Sequence, residues 1–135
     1  MSETRDRRKR HAELVREALE AYNRDDLAGV LRMMDPEVET RVGEGLVNTG
    51  TWQGLEGFTE MAAAWAEAWG QTVYEIVEVE TPDDKHVIAE IHQDAVGAQS
   101  GVPVGLTVFY MLEFADERVV RLHIYPDREA ALAAL

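Results

Sequence analysis

The sequence contains no cysteine. Disulfides, thiolate nucleophiles and cysteine-based zinc sites are excluded, and the chain needs no oxidising compartment, which fits the cytoplasm. It also lacks any apolar run long enough to cross a bilayer, so no membrane partner is expected. Its basic start, Met1-Ser2-Glu3-Thr4-Arg5-Asp6-Arg7-Arg8-Lys9-Arg10, has no apolar segment behind it and is not a secretory signal. No glycine-rich phosphate loop and no ligand cluster with metal spacing occurs, so neither cofactor nor metal is expected. Positive charge is scarce, with 13 basic against 26 acidic residues and a net charge of −13. Five of the basic groups but only two of the acidic ones fall within the first ten residues, which leaves −16 for the rest. Such a body repels phosphate backbones, so nucleic acid is not an expected partner. Residues 1–10 read as a disordered, solvated basic tail, with one domain over 11–135.

What is present is an ordinary globular composition. The chain has 135 residues, 46% apolar and 29% charged, enough for one domain with one core. From His11 the pattern is helical: Leu14, Val15, Ala18, Leu19 and Tyr22 recur at three- and four-residue steps. Asp25 or Asp26 can cap a second helix with the stripe Leu27, Val30, Leu31 and Met34, which Pro36 should end. A short strand over 37–41 and a glycine- and asparagine-rich loop over 43–51 come next. The third helix carries Phe58, Met61, Ala62, Trp65 and Trp69, with Gly70 placed to close it.

Beyond Gly70 the period becomes strand-like. Strands are expected over 73–80, 87–98, 104–114 and 119–125, with turns at Thr81-Pro82-Asp83-Asp84-Lys85, Gln99-Ser100-Gly101 and Ala115-Asp116-Glu117-Arg118. Pro126-Asp127 opens a short terminal helix over 128–135. Helices gathered first and a strand meander afterwards describe an α+β domain whose sheet needs three N-terminal helices as cover. No internal repeat or linker interrupts it.

Several local strings, in shared order and spacing, carry a resemblance. They are Asp25-Asp26-Leu27-Ala28-Gly29-Val30-Leu31 before Asp35-Pro36-Glu37-Val38; Trp52-Gln53-Gly54-Leu55-Glu56-Gly57-Phe58; Ser100-Gly101-Val102-Pro103-Val104; and the stretch from Val119 to Leu132. On these strings, spread from about residue 12 to the end, the chain resembles the SnoaL-like branch of the nuclear-transport-factor-2-like superfamily. The resemblance implies a cone: a curved antiparallel or mixed sheet wrapped around three N-terminal helices, with a short C-terminal helix. It implies a pocket inside the cone and a homodimer through the outer sheet face. It leaves function open, because members perform polyketide cyclisation, steroid double-bond isomerisation, epoxide hydrolysis or plain binding.

Set against those activities, the residues match poorly. The base of a ketosteroid isomerase corresponds to Arg41, give or take one residue, and a guanidinium accepts no proton at neutral pH. Its helix-one tyrosine falls at Ala18. The cyclase acid corresponds to Tyr110, which can donate to an enolate or carbonyl oxygen but is a weak base. The cyclase histidine corresponds to His92, which alternation sets on one face with Glu90 and Asp94, away from Ile91 and Gln93. An epoxide-hydrolase set would need Asp94 and Arg41, which match by type alone.

Tyr110 is thus the catalytic candidate. Alternation puts it inside with Val108 and Leu112, because Glu113 on the other face should avoid the core. Gln93, inward on the preceding strand, can meet it. Trp52, Phe58, Met61 and Trp65 form either a ligand wall or plain core, and Arg41 completes the ligand-binding set. The expected partner is a small, largely apolar molecule, either processed by acid–base chemistry or merely bound; an accessory dimerisation domain is the alternative. The outer face, with Glu90, His92, Asp94, Phe109, Met111, His123 and Tyr125, is expected to expose three large apolar side chains and so to dimerise.

Overall fold

A helix with one apolar stripe and a sheet with one apolar face each need the other as cover. The computed structural model describes residues 3–46, 48–70, 72–96 and 103–135. Its elements run α1 (Glu3–Asn23), α2 (Leu27–Leu31), β1 (Met34–Val42), β2 (Gly50–Gln53), α3 (Gly54–Trp69), β3 (Thr72–Glu80), β4 (His86–Val96), β5 (Pro103–Ala115), β6 (Arg118–Tyr125) and α4 (Arg128–Ala133). The strands form one curved sheet in the order β2-β1-β6-β5-β4-β3, not closed into a barrel. Every neighbouring pair is antiparallel except β1 and β6, which are parallel. The expected turn at Gln99-Ser100-Gly101 lies outside the described residues.

Local signals end the elements where the chemistry requires. Asp26, not Asp25, caps α2 by accepting from the Gly29 amide at 2.9 Å. Gly70 closes α3 with φ at 75° and its N–H on the Ala66 carbonyl at 2.7 Å. Asp127 caps α4 through the Ala130 amide at 2.8 Å.

Two expectations about boundaries are corrected. Residues 3–10 are the first turns of α1, not a disordered tail. Contacts distant in sequence hold them: Arg7 meets Asp84 at 3.1 Å and Arg10 meets Glu117 at 2.8 Å. The second helix stops at Leu31 and not at Pro36. Pro36 lies within β1, where the pairing with β6 shifts register between Met34 and Glu39, a break in the ladder that tolerates a missing N–H.

The concave face of the sheet builds the core. Val38 and Val42 of β1, Val87, Ala89 and Ile91 of β4, Val108, Leu112 and Phe114 of β5, and Leu122 and Ile124 of β6 pack with Leu14 and Val15 of α1 and Phe58, Met61 and Trp65 of α3. Polar contacts fasten α1 across this face at two points. His11 stacks on Phe114 with ring centroids 4.2 Å apart, and its Nε2 donates to the Asp116 carbonyl at 2.8 Å. Twelve residues on, the Asn23 amide donates to the Tyr74 carbonyl at 2.8 Å and accepts from the Tyr74 N–H at 3.0 Å. That pair imitates a neighbouring strand and satisfies backbone groups on the free side of the edge strand β3.

The convex face is not bare, which corrects a third expectation. Helix α4 lies over β4, β5 and β6 and buries Ile88 and Met111 with Ala131, while Phe109 and Tyr125 pack against the same cluster. Beside it runs a polar row across four strands, in which Glu39 pairs with Arg121, Arg121 with Glu113 and Glu113 with His86. Arg121 Nε donates to Glu113 at 2.9 Å, and His86 spans from Glu113 at 3.3 Å to Asp83 at 2.8 Å. Glu113 therefore stays out of the core.

Because two hydrogen bonds tie Asn23 to Tyr74, Asn23→Ala should cost roughly 1–3 kcal/mol. Urea unfolding followed by circular dichroism measures it. Asn23→Asp, which keeps the acceptor and loses the donor, should fall between.

Candidate functional site

Where large side chains of α1 and α3 meet the concave sheet without interlocking, they leave a cavity of about 80 Å³. Helix α1 contributes Leu14, Val15, Ala18, Leu19 and Tyr22, and α3 contributes Phe58, Met61 and Trp65. The floor is Tyr74 of β3, Ile91 of β4, Tyr110, Leu112 and Phe114 of β5, and Val119, Leu122 and Ile124 of β6, with Val30, Met33 and Met34 closing one side. No carboxylate, imidazole or amine belongs to this lining. Its oxygens are the hydroxyls of Tyr22, Tyr74 and Tyr110.

The three tyrosines share one electrostatic situation. Burial pushes each phenol above its ordinary value of about 10, because a phenolate would lose its water. Repulsion adds to this, from Tyr22 on Tyr110 and from Tyr110 on Tyr74. The rings of Tyr22 and Tyr74 meet edge-to-face at 5.2 Å. Tyr110 retains accessible surface, which faces the cavity, and no described residue hydrogen-bonds its hydroxyl. At neutral pH these groups donate protons in hydrogen bonds and cannot act as bases.

Five of the expected site residues, Phe58, Met61, Trp65, Tyr110 and Leu112, line the cavity. Val108 and Gln93 are fully buried on the same concave face but flank the cavity. Gln93 stands beside Tyr74 in the register and two residues past Ile91, with both amide atoms buried and unpaired. Trp52 does not reach the cavity; it is half-buried and packs closely on Gly57 of α3, fastening β2 to that helix. Arg41 is exposed, because the pleat of β1 turns Val38, Thr40 and Val42 inward and Glu39 and Arg41 outward. The inward neighbour at that position is Thr40, fully buried with its hydroxyl unpaired.

On the convex face, His92 contacts Asp94 at 3.1 Å and Thr107 at 3.3 Å. His123 Nε2 donates to Glu39 at 2.7 Å, and its Nδ1 meets the Tyr125 hydroxyl at 3.0 Å. None of these groups enters the cavity.

Sequence reasoning missed Tyr22 and Tyr74. Tyr22 ends the α1 stripe one turn after Ala18, the position at which the resemblance sets a tyrosine, and that one-turn offset was a usable signal. Tyr74 is inward by alternation with exposed Val73 and Glu75.

A family model described as a SnoaL-like domain matches residues 15–122. Among curated proteins none matches the chain. Solved structures with the same fold include an NTF2-like protein of unknown function from Burkholderia pseudomallei K96243, 19% identical over 92% of this chain and 95% of that one, with a TM-score of 0.78. TerC, co-crystallised with polyporic acid, is 21% identical over 93% of this chain and 97% of its own, with a TM-score of 0.77. A hypothetical protein with a ketosteroid isomerase-like fold from Catenulispora acidiphila DSM 44928, in complex with trimethylamine, is 14% identical over 90% of each chain, with a TM-score of 0.73.

Of the four tyrosines, the three in the cavity should stay un-ionised at the pH of about 10 where a free phenol is half-ionised. Ultraviolet difference titration checks this, and three phenolates forming near that pH in the folded protein would contradict the burial. Because these groups are held neutral only in the folded state, their contribution to stability is complete below about pH 10 and falls as pH rises beyond it.

Proposed function

The chain belongs to the SnoaL-like domain family, and we propose that it is a receptor for a small, largely apolar molecule bearing one hydrogen-bond acceptor. The observation that carries this reading is an apolar cavity in which the Tyr110 hydroxyl has no partner among the described residues. A hydroxyl that faces an apolar cavity has few polar neighbours there, and a ligand carbonyl or ether oxygen would give it one. The size of the cavity narrows the class. At about 80 Å³ it is well below the roughly 300–1,000 Å³ of pockets for drug-sized ligands, and the order is that of the engineered cavity of about 150 Å³ that takes up benzene. The ligand is a single ring or a short branched chain, unless α1 or α3 moves.

The same lining favours binding over proton-transfer catalysis. An isomerase- or cyclase-type reaction needs a base near the reacting carbon, and the lining offers only neutral phenols. Gln93, beside Tyr74, is the nearest further polar group for a ligand slightly larger than the cavity. The small organic molecules held by TerC and by the Catenulispora protein support the idea that this fold can accept such guests.

Assembly belongs to the same reading. Val73 and Val77 of β3 are 64% and 55% exposed on the convex face, next to Glu90, His92 and Asp94. A two-fold homodimer across this part of the sheet, beside α4, would cover them.

Two acceptor-differing probes test the binding reading. Acetophenone should bind more tightly than ethylbenzene, and Tyr110→Phe should remove that preference, a loss of roughly 0.5–1.5 kcal/mol, with the fold intact by circular dichroism. Calorimetry measures both, and equal affinity of acetophenone for the two proteins would reduce Tyr110 to packing. Sedimentation velocity at micromolar concentration tests the assembly: the wild type should run as a dimer and Val77→Asp as a monomer. A monomeric wild type would remove the dimer.

A further inference from the structure

The amino-terminal half of α1 carries its cations on two faces, and the fold treats those faces differently. Arg7 and Arg10 are neutralised by the body: Arg7 by Asp84 at 3.1 Å, Arg10 by Glu117 at 2.8 Å and by Glu13 and Glu17 at 3.5 and 3.6 Å. Arg5, Arg8, Lys9 and Arg16 follow a three-to-four-residue spacing that puts them on one other face. There they line a groove of about 510 Å³ against Val79 and Thr81, at the far end of β3. Among the described residues no carboxylate reaches ion-pair distance of Arg8, Lys9 or Arg16. The described lining of the groove holds no carboxylate, in a chain with twice as many acidic as basic residues.

Three further observations bear on its purpose. Glu80, between Val79 and Thr81 of the groove, is turned to Arg128 of α4, which holds it at 2.8 Å and keeps its charge engaged elsewhere. Arg8 Nε is buried from water and has no partner, a desolvated donor that needs an acceptor. Cations in the opening turns of a helix also oppose its dipole, a cost that a bound anion would reverse.

We propose that this groove binds the phosphate group of a small molecule, independently of the apolar cavity. Guanidinium groups match phosphate oxygens in paired hydrogen bonds, Thr81 offers a hydroxyl and Val79 an apolar wall for the rest of the ligand. From Arg8 to Arg16 the helix rises about 12 Å, the reach of a diphosphate with a short organic part and not of a polymer. A nucleic acid extending past the groove would meet the strongly acidic remainder of the chain.

The test uses the full chain, labelled with nitrogen-15, and inorganic pyrophosphate as probe. Saturable shifts are expected for amides of residues 5–16 and 79–81 at millimolar pyrophosphate. The triple variant Arg8→Gln, Lys9→Gln, Arg16→Gln should bind about tenfold or more weakly, since charge-assisted bonds are lost. The control Arg32→Gln, Arg41→Gln should stay within about twofold of wild type, because those two exposed cations lie outside the groove. Circular dichroism confirms that each variant is folded, and acetophenone binding should be unchanged in all of them. Absence of saturable shifts, equal loss in the control, or tighter binding of a single-stranded oligonucleotide than of pyrophosphate would each overturn the proposal.

Discussion

Helix α1 is held across the concave sheet by two polar fastenings, and the cavity exists because of them. The His11 contact with the β5–β6 turn and the Asn23 contact with β3 are about 18 Å apart along the helix. Between them the helix hangs Leu14, Val15, Ala18, Leu19 and Tyr22 over the sheet. Hydrophobic contact alone would favour collapse until the side chains interlocked, since interiors pack densely. Polar bonds are directional, so fixing both ends of the helix fixes its height, and the gap beneath Ala18 stays open. The same bonds also protect an edge strand, which joins the stability of the sheet to the shape of the site.

Around that gap the chain separates its chemistry by environment. The cavity is neutral, walled by aliphatic and aromatic groups, with phenols that burial keeps protonated. The titratable groups that resemble catalytic parts, Glu39 with His123 and Tyr125, or Asp83 with His86 and Glu113, are all on the convex face. There they form cross-strand ladders beside α4. The fold thus carries these ionisable groups outside, and its cavity lining holds only neutral side chains.

Much of this was legible in the sequence because it depends on period. Strand alternation set Tyr110 and Leu112 inward and Glu113 and His92 outward, and helix spacing set Phe58, Met61 and Trp65 on one face. Caps at Asp26 and Gly70 were readable from residue type. What escaped depended on contacts distant along the chain. Residues 3–10 are helical because Asp84 and Glu117 receive Arg7 and Arg10, partners no local pattern reveals. Arg41 is outward because the bulge around Pro36 sets the pleat of β1, and one residue of register exchanges it with Thr40. The covering of Met111 and Ile88 by α4 is likewise a tertiary fact, and a cavity volume depends on interlocking that no one-dimensional pattern contains.

The single parallel pairing in the sheet has a consequence for how the chain acquires its shape. Met34 and Glu39 of β1 lie beside Val119 and Arg121 of β6, so the centre of the sheet joins segments more than eighty residues apart. Closing so long a loop is entropically slow, and it must precede the reward of the contacts it makes. Without β6, β1 can pair with β2 but has no neighbour on its other side. The hairpins of β3 to β6 are local and can form as they appear. Only when β6 is present can the two halves lock, so the roof and the floor of the cavity become one body after the local hairpins have formed.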